Sequence, residues 1–202
     1  MRWLITLLLL VFFQWYSYQA LKTAISNRWI LYGYVFFTVI IVGNLLFYTL
    51  ILERNTTNEP RLMYAIGFFL SLLIFQLLVS VILLAEDVFR IPQALYSFLK
   101  RVPEQTQFIP SRRKIISQIA LGLASIPFAS LLYGMYRGKY NYKVLSYNLE
   151  FEDLPDAFDG FKITQISDIH SGSFDNQTKV QYGVDLVNQQ KSDLVLFTGD
   201  LV

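Results

Sequence analysis

Polar and apolar positions divide the chain into two unlike parts. Up to about residue 140 the apolar residues come in long runs. Four of them, about 3–21, 30–52, 62–85 and 115–136, reach the roughly 20 mostly apolar residues that a membrane-spanning helix needs. The second and third carry no charged residue, and the fourth is richer in Gly, Ala and Ser. Its Pro127 would be costly inside a soluble helix, but transmembrane helices tolerate proline. The first run opens MRWLITLLLLVFF, like a secretory signal, but Tyr18 precedes Ala20 where a small residue belongs. An uncleaved first span is therefore predicted. Between the third and fourth runs, residues 87–110 mix Phe89, Ile91, Leu95, Phe98 and Leu99 with charges. That pattern fits a short amphipathic helix on the membrane surface, or a connecting loop with some helix.

After about residue 137 the pattern changes. Tyr142 to Phe151 roughly alternates and reads as a strand. Leu154-Pro155 and Asp159-Gly160 are turn signals. Phe161 to Ile166 reads as a second strand, ending at Ser167-Asp168. Asp175 or Asn176 can cap a helix whose Val180, Val184 and Val187 recur at helical spacing up to about Asn188. Asp193 to Phe197 is a short, mainly apolar run, as expected of a buried parallel strand. Strand, helix and strand make one right-handed βαβ unit. The predicted division is a membrane region over 1–140 and an α/β region over 141–202.

Composition agrees with this split. The chain is 54% hydrophobic, 16% aromatic and 16% charged, against about 45–50% apolar and about 25% charged in a typical soluble domain. This excludes a disordered acidic tail. The absence of Cys excludes disulfides and thiolate metal sites. The net charge of +2 hides 13 Lys and Arg against five Asp and Glu up to residue 140, and four against ten after it. Because the basic residues sit between apolar runs, no nucleic-acid partner is expected; the expected partner is the lipid bilayer. Trp3, Trp15, Tyr16, Trp29, Tyr32, Tyr133 and Tyr136 cluster near span ends, as an interfacial aromatic belt does.

Lys and Arg asymmetry sets the expected orientation. The first loop and the 86–114 segment hold eight basic residues, and the opposite side holds six. Arg112-Arg113-Lys114 lies directly against the fourth span and is placed in the cytoplasm. Ser111-Arg112-Arg113-Lys114-Ile115-Ile116 also resembles a twin-arginine export pattern, although a plain positive anchor explains it as well. Either reading puts the α/β region outside the cytoplasm, with the protein in the cell (inner) membrane.

The candidate chemistry falls where a βαβ unit presents ligands, beyond the carboxyl ends of its strands. Asp168 and His170 follow the first strand of that unit, and Gly199-Asp200 follows the second. If the strands are neighbours, the three side chains converge. Carboxylate and imidazole suit Mn, Fe, Zn or Mg. Gly199 allows a tight turn, and the two oxygens of Asp200 could bridge two ions. Two-metal sites serve phosphoester hydrolysis by activating water and neutralising phosphoryl oxygens.

These residues carry a resemblance. Ile163-Thr-Gln-Ile-Ser-Asp168-Ile-His170, followed by Asp193-Leu-Val-Leu-Phe-Thr-Gly199-Asp200-Leu201-Val202, resembles the opening of the calcineurin-like metallophosphoesterase family. Leu154-Pro155, Phe158 and Gly160 resemble the lead-in of its membrane-associated bacterial branch. The resemblance implies a multi-pass α-helical membrane region with four transmembrane helices, followed by the start of an α/β metallophosphoesterase sandwich. It also implies two divalent metal ions in the complete domain, with Asp168 and His170 on the first and Asp200 bridging both. The family's later motifs, G-N-H-[DE], a further His and G-H-x-H, do not occur, and His170 is the only His. A fragment, inactive by itself, is the resulting expectation.

The expected function is a membrane-anchored phosphoesterase acting on phosphate mono- or diesters through a dinuclear site, on a membrane- or envelope-derived substrate. The alternative is a four-helix sensor, transporter or interaction module with a non-catalytic α/β appendage. Its mid-membrane polar candidates are Asn44, Gln76 and Gln118, for which interhelical hydrogen bonding is the simpler role.

Overall fold

The structure, a computed structural model, describes residues 2–50, 60–100 and 110–201. Four long helices come first: α1 (Arg2–Ala24), α2 (Arg28–Leu50), α3 (Pro60–Lys100) and α4 (Pro110–Tyr136). Within them, Arg28–Leu50, Arg61–Pro92 and Arg112–Tyr136 are long and apolar enough to cross a membrane. The 23-residue α1 packs beside them, against both α3 and α4. The predicted end of the second span at 51–52, and Arg54 and Arg101 of the charge comparison, lie outside the described residues.

Helix α3 corrects one expectation. Its 41 residues run unbroken through Pro92, so residues 87–100 are neither a loop nor a separate surface helix. At about 1.5 Å per residue, such a helix is roughly 60 Å long, about twice the hydrocarbon thickness. Proline removes one backbone hydrogen bond, which a long helix supported on both sides absorbs. Likewise α4 runs through Pro127, as the sequence predicts.

Antiparallel packing of α3 on α4 forms the centre of the bundle. Gly67 lies against Met135, the Phe75 and Phe128 rings are 5.8 Å apart, and Asp87 meets Arg113. The core consists of Ala20, Val79, Leu83, Ala120 and Ala124. Alanines from α1 and α4 let backbones approach closely, which is how helices associate where no hydrophobic driving force acts between them. By contrast, α2 is peripheral: Trp29, Phe36 and Leu50 are largely exposed, as lipid-facing residues would be.

Polar side chains tie the helices at two levels. Midway, Gln76 Nε2 donates to Tyr34 Oη (3.1 Å) and to Gln14 Oε1, and Ser17 Oγ lies 2.5 Å from Tyr34 Oη. Of the three expected polar positions, only Gln76 joins helices; Asn44 and Gln118 are exposed. Gln14, Ser17 and Tyr34 are the partners that a scan for isolated polar residues misses. At one end of the bundle, Arg113 bonds Asp87 and lies 3.9 Å from Glu86, while Tyr16 donates to Asp87. One arginine of the twin-arginine pattern is thus folded into the bundle, while Arg112 is exposed.

Beyond α4, a short 3-10 turn (Gly138–Tyr140) leads to an extended arm. The predicted strand over Tyr142–Phe151 does not form: a strand exists by pairing, and no described segment pairs with these residues. The βαβ unit does form. Strand β1 (Ile163–Ile166), helix α5 (Gln177–Gln189) and strand β2 (Leu194–Phe197) follow in order, and the strands pair in parallel from Ile163 with Leu194 to Ile166 with Phe197. Asn176 is the helix cap, accepting from Lys179 N at 3.0 Å. At the strand starts, Lys162 N donates to Asp193 Oδ2 (2.8 Å) and Asp193 N returns a bond to Lys162 O (2.9 Å), which sets the register.

Candidate metal centre

Parallel pairing in this register brings the carboxyl ends of β1 and β2 side by side. Backbone bonds then bind the two following loops together. Thr198 N donates to Ile166 O (3.0 Å), Asp168 N to Gly199 O (3.1 Å), His170 N to Asp200 O (3.3 Å) and Ser171 N to Leu201 O (2.7 Å). The ladder thus continues past the strands, through residues no longer in strand conformation.

The reason is visible in the backbone angles. Asp168, His170 and Asp200 have φ of 54°, 45° and 53°. They are three of only four non-glycine residues with positive φ among the described residues. Left-handed backbone costs a residue with a Cβ about 1 kcal/mol or more. Gly199, at φ 124°, takes the most extreme turn, and a Cβ there would meet nothing within 4 Å. Its requirement is conformational, not steric.

The kinked loops turn three side chains to one point. One ligand atom from each of Asp168, His170 and Asp200 lies within 4.8 Å of the others, and all three residues are exposed. His170 Nε2 is 3.4 Å from Asp200 Oδ2. Two ligands about 2.1 Å from a shared divalent ion stand up to about 4.2 Å apart, so small side-chain rotations suffice. Two carboxylates and one imidazole suit a borderline or hard divalent cation. The residues therefore fit a metal ion. Ser167 Oγ donates to Asp168 Oδ2 and helps fix that carboxylate.

The loop after His170 is held to the end of the helix bundle. Asp175 stands at the centre of this attachment. Its Oδ1 accepts from Tyr140 Oη (2.6 Å), and its Oδ2 accepts from Tyr64 Oη (2.6 Å) and Lys139 Nζ (3.0 Å). Lys139 also donates to Ser173 O (3.2 Å), and the Tyr140 ring stacks on Phe174. Hydrogen bonds from Tyr140, Tyr64 and Lys139 hold the Asp175 carboxyl well below the usual carboxylate range. Burial pulls the Lys139 ammonium down, but its bonds to Tyr64 and Asp175 outweigh this and raise it. From sequence, Asp175 had only a capping role, Lys139 only a place among the six basic residues of the charge comparison, and Tyr140 no role. The available signal was the alternation of tyrosine and basic residues over 133–143.

Comparison with known proteins finds metallophosphoesterase relatives. A transmembrane protein with a metallophosphoesterase domain from Danio rerio is 33% identical over 70 residues, covering 35% of this chain and 16% of that protein. The uncharacterized metallophosphoesterase YkuE of Bacillus subtilis is 30% identical over 70 residues, covering 35% of this chain and 24% of the relative. An uncharacterized metallophosphoesterase of Helicobacter pylori is 32% identical over 100 residues, covering 49% of this chain and 26% of the relative. The matched stretches thus span about a quarter or less of these relatives. No solved structure matches the chain. Residues 1–139 match the family described as "Probable Calcineurin-like phosphoesterase, transmembrane domain". With more than half of its length accounted for in this way, the chain belongs to that membrane-associated metallophosphoesterase family.

Proposed function

We propose that this chain supplies the membrane anchor and the first half of the metal site of a phosphoesterase that hydrolyses phosphate mono- or diesters. The convergence of Asp168, His170 and Asp200 at paired strand ends carries this reading. Asp168 and His170 would hold one divalent ion, and Asp200 would bridge it to a second. Mn, Fe, Zn and Mg all suit the donor set. Bound metal would supply electrophilic stabilisation of the phosphoryl oxygens. The residues named here hold it, orient it and keep the two loops in register. In this reading residues 1–140 cross the membrane four times, α1 included, and 141–202 begin the catalytic domain outside the cytoplasm. A membrane- or envelope-derived phosphoester is the proposed substrate class.

The test is Asp200→Ala in the full-length protein, with Mn2+ binding followed calorimetrically and hydrolysis followed with p-nitrophenyl phosphate and its bis-ester. Loss of turnover, with Mn2+ binding weakened by at least about tenfold, supports the assignment. Undiminished hydrolysis in that variant would sink it.

A further inference from the structure

A cavity of about 450 Å³ lies between the end of α4 and the first turns of α5, apart from Asp168, His170 and Asp200. Its size falls within the ~300–1,000 Å³ typical of small-ligand sites. Two cations line it, Arg137 from just beyond α4 and Lys179 from α5, and no carboxylate does. The remaining lining side chains are Asn141, Thr178 and three tyrosines, 133, 140 and 182. Every one of them can donate a hydrogen bond.

The two cations are not neutralised locally. Among the described residues, ion pairs form from Arg90, Arg113 and Lys139, and none from Arg137 or Lys179. Asp175, the nearest acid in sequence to Lys179, is taken up by Lys139, Tyr64 and Tyr140. The Lys179 ammonium instead stands 4.9 Å from the Tyr140 ring centre and 5.2 Å from that of Tyr136. Aromatic faces orient a cation without cancelling its charge. The N-terminal turn of α5 adds further positive potential.

Position names the occupant. Tyr133 lies in the last turn of a membrane-crossing helix, and Arg137 is the first cation beyond it. Tyrosine followed by arginine at a span end marks the headgroup level of a bilayer. Tyr133 and Tyr136 are more than half exposed, leaving room for acyl chains beside them.

We propose that this cavity binds the phosphate of an anionic membrane phospholipid, with Arg137 and Lys179 pairing its charge. Tyr133, Tyr182, Asn141 and Thr178 complete its hydrogen bonds, while the Tyr140 hydroxyl stays committed to Asp175. The site stands independently of the metal reading, because none of the three candidate metal ligands lines it.

The chain is purified in neutral detergent and titrated with short-chain phosphatidylglycerol, short-chain phosphatidylcholine or inorganic phosphate. Retained lipid is read by native mass spectrometry, and the thermal midpoint is followed in parallel. Phosphatidylglycerol is expected to be retained and to raise the midpoint, while phosphatidylcholine and phosphate have little effect. Arg137→Gln with Lys179→Gln should cut retention at least tenfold, and Arg137→Lys with Lys179→Arg should preserve it. Should the glutamine variant fold poorly, Asn141→Leu with Thr178→Val removes donors but no charge, and a loss of severalfold is expected. Equal phosphatidylglycerol retention by wild type and the glutamine variant overturns the proposal. Stabilisation by inorganic phosphate equal to that by phosphatidylglycerol makes the site one for soluble phosphate and overturns the lipid assignment.

Discussion

Lys139 Nζ lies 3.0 Å from Asp175 Oδ2, and this pair joins the end of the helix bundle to the loop that follows His170. It gathers Tyr64 from the start of α3 and Tyr140 from the turn after α4. The membrane helices therefore set the position of one candidate metal-binding loop. Asp175→Ala removes the acceptor for three donors, and a loss on the order of 2 kcal/mol in local stability follows. Near-UV circular dichroism of Asp175→Ala against the unaltered chain should show part of the aromatic signal melting at lower temperature, because the Tyr140–Phe174 stack belongs to this attachment.

The same pair predicts a pH response. A carboxyl whose folded pKa is depressed contributes above its unfolded value of about 3.9, and the contribution is lost as pH falls through the folded value. For an ammonium whose folded pKa is raised, the contribution holds below about 10.4 and is lost as pH rises through the folded value. Asp175 and Lys139 shift in these directions. The aromatic signal should hold steady between about pH 5 and 10 and weaken only outside that window. A midpoint near neutrality would contradict this account.

Lys191 is the one positive-φ non-glycine residue, among those described, outside the metal centre. It follows the Gln190 cap of α5, and its N–H donates to Asn188 O at 3.2 Å. Glycine is the usual residue at that place. Lys191→Gly should stabilise the α/β unit by about 1 kcal/mol and leave metal binding unchanged. Thermal denaturation of the two forms checks it.

Gln76 is 4% exposed and bonds both Tyr34 and Gln14. Gln76→Leu should cost about 1 kcal/mol in bundle stability, the scale of interhelical hydrogen bonds in membranes. Because these residues bond one another, Gln76→Leu and Gln14→Leu should be less than additive. Denaturant titration in detergent micelles measures both.

Metal binding should stabilise the kinked loops by mass action. Mn2+ at about 100 times its dissociation constant adds about 2.7 kcal/mol. His170→Ala should abolish this gain, whereas Asp185→Ala, which removes an exposed acid on α5 away from the cluster, should retain it. Differential scanning calorimetry with and without Mn2+ gives the comparison.

Much of the architecture was legible in the sequence because its physics is local. Long apolar runs form helices that leave water, so the existence of α1, α2, α3 and α4 was legible from run length and composition. The βαβ unit was legible through its caps and short apolar runs, and Asn176 caps α5. The strand expected over Tyr142–Phe151 failed because alternation describes a face, whereas a strand needs a partner. The separate segment expected over residues 87–110 failed as far as Lys100, where the mixture of apolar residues with charges after Ala85 hid a helix that simply continues; residues 101–109 lie outside the described residues. In the fold Glu86 and Asp87 meet Arg113, and α3 continues past them.

Residue identity and spacing by themselves determined four apolar segments, one strand–helix–strand unit and the choice of Asp168, His170 and Asp200 as candidates. Only the tertiary structure decided that these three converge, because their separation over 32 residues is closed by parallel pairing and left-handed backbone. It alone showed that Lys139 and Asp175 join the two halves and that Arg137 and Lys179 face one cavity. Patterning reports which residues leave water, a property each segment has alone. Which polar groups then meet depends on how helices and loops pack, and no segment carries that information by itself.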